Sequence, residues 1–215
     1  MSTNSPVPYG SAHTGPDGRA HTIHFELRLP HPLESAWAAV ATPGGLRGWL
    51  AAADPFEPGP GGAVALRWLN GDGPAVPGRI TAWERRRCAE YTVGARGSFG
   101  FVLEADEGRD GGETTRVRFG NDFDDDVDDV GDVGGVCVAD DAGNADDAAN
   151  GARGADAGGA GAVAEGPVAR LALWHRHFEL LHGALQGRPA TPAAWAPARL
   201  AELRAAYARR AAGEG

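Results

Sequence analysis

The stretch Pro167–Gly187, PVARLALWHRHFELLHGALQG, sets Leu171, Trp174, Phe178, Leu181 and Leu185 at steps of three and four. On a helix of about 3.6 residues per turn they make one continuous apolar stripe. Pro167 suits the first turn, and Gly183 and Gly187 weaken or end the last. A helix with such a stripe must lie on something, and upstream the chain offers almost only short strands. The pattern predicts an α+β, helix-grip architecture. In it, a curved antiparallel sheet of about six or seven strands wraps round one long C-terminal helix, and two short helices follow the first strand.

Residues 1–20 are polar and rich in Pro and Gly, which predicts a disordered N-terminus. Residues 21–187 read as one domain. Ile23, Phe25, Leu27 and Leu29 alternate with His24, Glu26 and Arg28, the period of a half-buried strand. Pro30 and Pro32 stop it, and Pro32 is placed to open a helix in which Leu33, Trp37 and Val40 share a face. Thr42-Pro43 reads as an N-cap with Pro at the first helical position, starting a shorter helix with Leu46, Trp49 and Leu50. Strand-like runs follow at Ala63–Leu69, Gly78–Trp83, Cys88–Val93, Gly97–Ala105 and Thr114–Phe119, with Gly- and Pro-rich turns between several of them. In the tail, residues 188–215, Leu200, Leu203 and Tyr207 fall on one helical face. This predicts a surface helix docked outside the sheet, with Trp195 as its anchor.

The formal charge of −9 is unevenly spread. Between Asp122 and Asp156 there are 12 Asp against one Arg, a local −11, while the rest of the chain holds 19 basic and 17 acidic residues. No ribbon of positive charge suited to nucleic acid is present. Residues 122–166 reduce largely to Asp, Gly, Ala, Val and Asn, which predicts a solvated, disordered acidic insertion. Val127, Val130, Val133 and Val136 recur every third residue, and Asp124, Asp126 and Asp128 alternate as in a calcium loop. Such a loop needs Gly at its sixth position and Glu at its twelfth, where this chain has Asp129 and Gly135. The insertion is expected to be dispensable: a short Gly/Ser loop in place of Asp124–Gly166 should move the thermal midpoint by only a few degrees. Cys88 and Cys137 are the only cysteines, and two cysteines so placed do not suggest a disulfide framework or a zinc site. Neither a signal peptide nor a membrane-spanning run is evident, so a cytoplasmic protein is expected.

Leu33–Leu50, LESAWAAVATPGGLRGWL, resembles the opening helices of the START-like (SRPBCC) superfamily, especially the branch of heat-shock-protein ATPase activator homologues. Trp37, Thr42, Pro43, Leu46 and Trp49 fill that branch's pattern. Gly61-Gly62, Gly78-Arg79-Ile80 before Trp83-Glu84, Thr115-x-Val117-x-Phe119, and Trp174, Phe178, Leu181 and Leu185 are also similar to it. The chain departs from the pattern where Pro43 replaces an acidic residue and where Asn121 stands nearest to the His that commonly ends the last strand. The resemblance implies binding of a small hydrophobic molecule in a cavity between sheet and long helix, without catalysis. It also implies two alternatives: a cyclase- or aromatase-like enzyme using His175 or His182, and a chaperone-regulator-like module with a protein partner.

His175, Glu179 and His182, spaced by four and three, line one side of the long helix. They could in principle ligate a metal or exchange protons, but both His border the apolar stripe, at about 40° and 20° from Leu171, as a polar flank would. No metal, no cofactor and no catalytic residue is expected. The expected cavity lining is Trp68, Phe99 and Phe101 from the strands, facing Trp174, Phe178 and His182 from the helix. In a cavity wall, Phe178→Ala should cost under about 2 kcal/mol, less than in a closed core.

Overall fold

The computed structural model describes residues 6–71, 73–94, 97–108, 111–124, 137, 166–191 and 195–213. Its elements run β1 (Ser11–Thr14), β2 (Ala20–Leu29), α1 (Leu33–Ala41), α2 (Pro43–Arg47), β3 (Ala51–Phe56), β4 (Ala63–Trp68), β5 (Val76–Glu84), β6 (Cys88–Val93), β7 (Ser98–Glu107), β8 (Glu113–Asp124), α3 (Pro167–Leu185) and α4 (Pro197–Ala211). The strands form one curved antiparallel sheet in the order β1-β2-β8-β7-β6-β5-β4-β3. This is the α+β helix-grip arrangement that the periodicity predicts.

The period of two decides which face is buried. Ile23, Phe25, Leu27 and Leu29 of β2 turn inward, as do Val117 and Phe119 of β8, which β2 pairs in register from Ala20↔Asp124 to Leu29↔Thr115. Between β2 and β3 the chain crosses through α1 and α2. Thr42 caps α2 as read from the sequence: its Oγ1 accepts the Gly45 N–H at 3.0 Å and donates to the Ala38 carbonyl at 2.7 Å. Position 45 must be glycine, because a Cβ there would meet the Ala38 oxygen at 2.0 Å. Trp49 Nε1 donates to the Ala39 carbonyl at 3.0 Å, which locks the two short helices together.

The structure differs from the expectation in four places. First, the sheet has eight strands among the described residues. β1 falls within residues 1–20, the segment expected to be disordered. It pairs β2 from Ser11↔His24 to Thr14↔His21, and Val7 is buried beside it. The open edge of β2 offers backbone partners that composition does not reveal. Residues 1–5 lie outside the described residues. β3, AAADPF, is poor in strand formers but pairs β4 from Ala51↔Trp68 to Ala53↔Leu66, with a register shift before Phe56. Tertiary pairing overrides its weak propensity.

Second, α4 packs on α3 and not outside the sheet, burying Leu203 and Tyr207. For that reason α3 is enclosed on two sides. Its predicted stripe faces the sheet, while Arg170, His175 and His177 are buried as well. Third, Gly10 N–H donates to the Tyr207 hydroxyl at 3.0 Å, so the N-terminal segment is tied to α4.

Fourth, Cys88 and Cys137 form a disulfide with Cα atoms 6.1 Å apart. The separation suits a disulfide, and one cross-link joins the two cysteines where the sequence suggests no disulfide framework. Most of the predicted acidic insertion lies outside the described residues, including its valine repeat and Asp126 and Asp128. Asp122 and Asp124 belong to β8. Among the described residues, no helix is long and apolar enough to cross a membrane.

Candidate functional site

Five of the six expected lining residues meet in one aromatic cluster between α3 and the sheet. Trp68 comes from β4, Phe99 and Phe101 from alternate positions of β7, and Trp174 and Phe178 from consecutive turns of α3. The Trp174 ring lies 4.4 Å from Phe119, 5.2 Å from Phe99, 5.9 Å from Phe178 and 6.3 Å from Trp68, centroid to centroid. Tilted and edge contacts at such distances are favourable beyond the area they bury. Phe178 sits deeper, with Phe25 and Phe119 each at 5.0 Å and Trp49 at 6.1 Å. His182 stands apart: it is two turns beyond Trp174, about 12 Å along the helix. Burial pushes its pKa down, and His31 acts in the same direction.

Sequence reasoning did not include Asn121 and His177 in the site. Trp174 Nε1–H donates to Asn121 Oδ1 at 2.8 Å, and Asn121 Nδ2 donates to the Ser98 carbonyl at 2.9 Å. The two bonds fix the orientation of the amide. The signal for Asn121 was its inward phase, two residues beyond Phe119 on the same strand face. His177 Nδ1–H donates to the Trp49 carbonyl at 3.3 Å, and its ring lies 4.7 Å from Trp195, 5.6 Å from Trp174 and 6.1 Å from Trp68. Trp195 therefore anchors the tail on α3 by way of His177. Trp68, at 7 % exposure, is the ring of this cluster nearest the surface among the residues expected to line the cavity. Two concavities on the described surface lie elsewhere. One, of about 310 Å³, is bounded by Trp37, Phe56 and Trp83, and the other, of about 580 Å³, lies between the start of α3 and α4 at Val168, Arg204 and Ala208.

His175 and Glu179 come together, but in the seam between α3 and α4. The Tyr207 hydroxyl accepts from Gly10 N–H and shares a hydrogen bond with His175 Nδ1 at 3.0 Å, while His175 Nε2 lies 3.8 Å from Glu179 Oε1. Glu179 is also held by Arg199 at 2.6 Å and Arg176 at 2.9 Å. Burial pushes the His175 pKa down to about 4; Glu179 opposes the shift and Arg199 assists it. Because the folded value lies below the usual 6.5, the stability that the neutral ring contributes is complete above about pH 6.5. It is lost as pH falls through the window between 6.5 and 4. We expect the stability difference between wild type and His175→Asn to shrink by about 3 kcal/mol from pH 7 to pH 4 in urea titrations. A difference that does not change with pH would mean the ring is not held neutral.

No family model and no curated protein sequence matches the chain. Solved structures do match it. The conserved protein of unknown function EF2215 from Enterococcus faecalis superposes with a TM-score of 0.61 at 10 % identity, covering 96 % of this chain and 92 % of that one. The solution structure of CalU16 from Micromonospora echinospora superposes at 0.57 with 15 % identity over 100 % of both chains, and its crystal structure at 0.51 over 93 % and 94 %. At such identities the likeness is one of fold, and it agrees with the order of strands and helices described above. This chain has the α+β helix-grip fold.

Proposed function

We propose that the chain binds a small hydrophobic molecule between the sheet and α3 without transforming it, at the end of the grip where Trp68, Phe99 and Trp174 meet. The observation that carries this reading is the hydrogen bond from Trp174 Nε1 to Asn121 Oδ1, set within a wall of aromatic rings. Small-molecule sites combine mostly apolar linings with a few placed polar groups, and Asn121 and His177 supply such groups here. Phe101 and Phe178 support the wall from behind. His182 belongs to the far end of the helix and would meet only a long ligand. His175 is less suited to proton transfer on a ligand, because its ring is occupied by Tyr207 and faces Glu179. Within the superfamily, we place the chain nearest the heat-shock-protein ATPase activator branch, on the pattern Trp37, Thr42, Pro43, Leu46 and Trp49.

Titration with an anilinonaphthalene sulfonate probe, read by probe and tryptophan fluorescence, tests the proposal. Saturable binding to the folded protein is expected, weakened at least about tenfold in Trp174→Leu, a loss of about 1.4 kcal/mol. Absence of saturable binding by a cooperatively folded wild type would remove the ligand reading.

A further inference from the structure

On β6, Ala89, Tyr91 and Val93 point into the core, so Cys88 and Glu90 point to the opposite, convex face of the sheet. Outward residues of a one-sided sheet are normally wet. Here Cys88 is only 6 % exposed and Glu90 5 %, and their partners across the ladder, Val102 and Gly100 on β7, are buried as well. Among the described residues, Cys137 lies on this face. It is bonded to Cys88, and its backbone N–H donates to Glu90 Oε2 at 3.2 Å. The other Glu90 oxygen accepts from Thr81 Oγ1 at 2.7 Å. The contact is therefore a covalent bond plus a hydrogen bond to an oriented carboxylate.

We infer that the Cys88–Cys137 disulfide is a redox-controlled fastener, which holds Cys137 of the acidic segment on the convex face and releases it when a dithiol reductant cleaves the bond. Charge supplies the release. By sequence, residues 125–156 carry ten Asp and one Arg, a net −9, and the face on which Cys137 sits presents Glu90 and the buried Asp122. Without the covalent bond, like charges oppose docking and one hydrogen bond opposes release. Cys137 is half-buried and Cys88 is buried, so attack falls on Cys137 Sγ. A reductant thiolate bonds to that sulfur, and Cys88 leaves as a thiolate and takes up a proton. The second reductant thiol, as its thiolate, then closes its own disulfide and frees Cys137, which also takes up a proton. Two electrons pass from the dithiol to the protein disulfide, giving two protein thiols and one reductant disulfide. Release would free the Cys88 thiol and the Glu90 carboxylate oxygen that Cys137 holds in the oxidised protein.

The inference is independent of ligand binding. Its test uses the full chain, isolated without reductant and exposed to glutathione disulfide. Alkylation followed by intact mass measurement should find no free thiol before dithiothreitol and two after it. In the same samples, the heteronuclear NOE of the Cys137 amide should be that of ordered backbone when oxidised and of flexible chain when reduced, while the amides of β2 and β8 keep their positions. Residue 137 of Cys137→Ser should resemble the reduced wild type. Two free thiols in the oxidised sample, or a Cys137 amide equally ordered after reduction, would overturn it.

Discussion

Truncating Phe178 to Ala is expected to lower the unfolding free energy by about 3–5 kcal/mol, the range for a large aromatic removed from a closed core. The ring is 0 % exposed and touches Phe25, Trp49, Phe119 and Trp174, which come from four different elements or connections. A cavity in their midst would lose packing for all of them, and aromatic side chains cannot easily collapse into it. The periodicity alone suggested a cavity wall and a cost below about 2 kcal/mol; the four enclosing rings are the reason for the larger figure. Urea denaturation of wild type and Phe178→Ala measures the difference. A loss under about 2 kcal/mol would show that open space already adjoins the ring, and would extend the proposed ligand site to the middle of α3.

Replacing Asp124–Gly166 with a short Gly/Ser loop is expected to cost about 2–4 kcal/mol, well beyond the few degrees suggested by composition. The replacement removes Cys137, and with it a cross-link between residues 49 apart in sequence. Constraint of the unfolded chain by such a link is worth about 4 kcal/mol in the simplest chain-entropy treatment, and measured values commonly fall lower. The control is the same replacement compared with Cys137→Ser under non-reducing conditions. If the disulfide accounts for the cost, the single substitution reproduces most of it. A replacement that leaves stability unchanged would mean the link contributes nothing in the oxidised protein.

Periodicity and local chemistry specify part of this fold, and contacts remote in sequence specify the rest. The grip itself was legible because period two in Ile23–Leu29 and period near 3.6 in Leu171–Leu185 are set by which face meets the core. The Thr42-Pro43 cap was legible because its chemistry is local. β1, the α3–α4 seam and the disulfide were not. Each depends on a partner remote in the chain: β2's open edge for Ser11–Thr14, the His175 ring for Tyr207, and β6 for Cys137. In the site, the aromatic residues announced themselves by phase. Asn121 did not, because a polar residue at an inward position can only be understood once its partner, Trp174, is known.

The bond between Gly10 and the Tyr207 hydroxyl spans 197 positions of the chain. During synthesis, β2 must also wait for β8, about a hundred residues later, before it gains its inner neighbour. The aromatic interior stays uncovered longer still, until α3 has left the ribosome, and the N-terminal strand has no clasp until α4 follows. Closure of the grip thus waits for α3 and α4, which cover what the preceding strands have prepared. A nascent chain halted before Pro167 would present Phe25, Phe99, Phe101 and Phe119 to solvent together, and would be a natural client for holding chaperones.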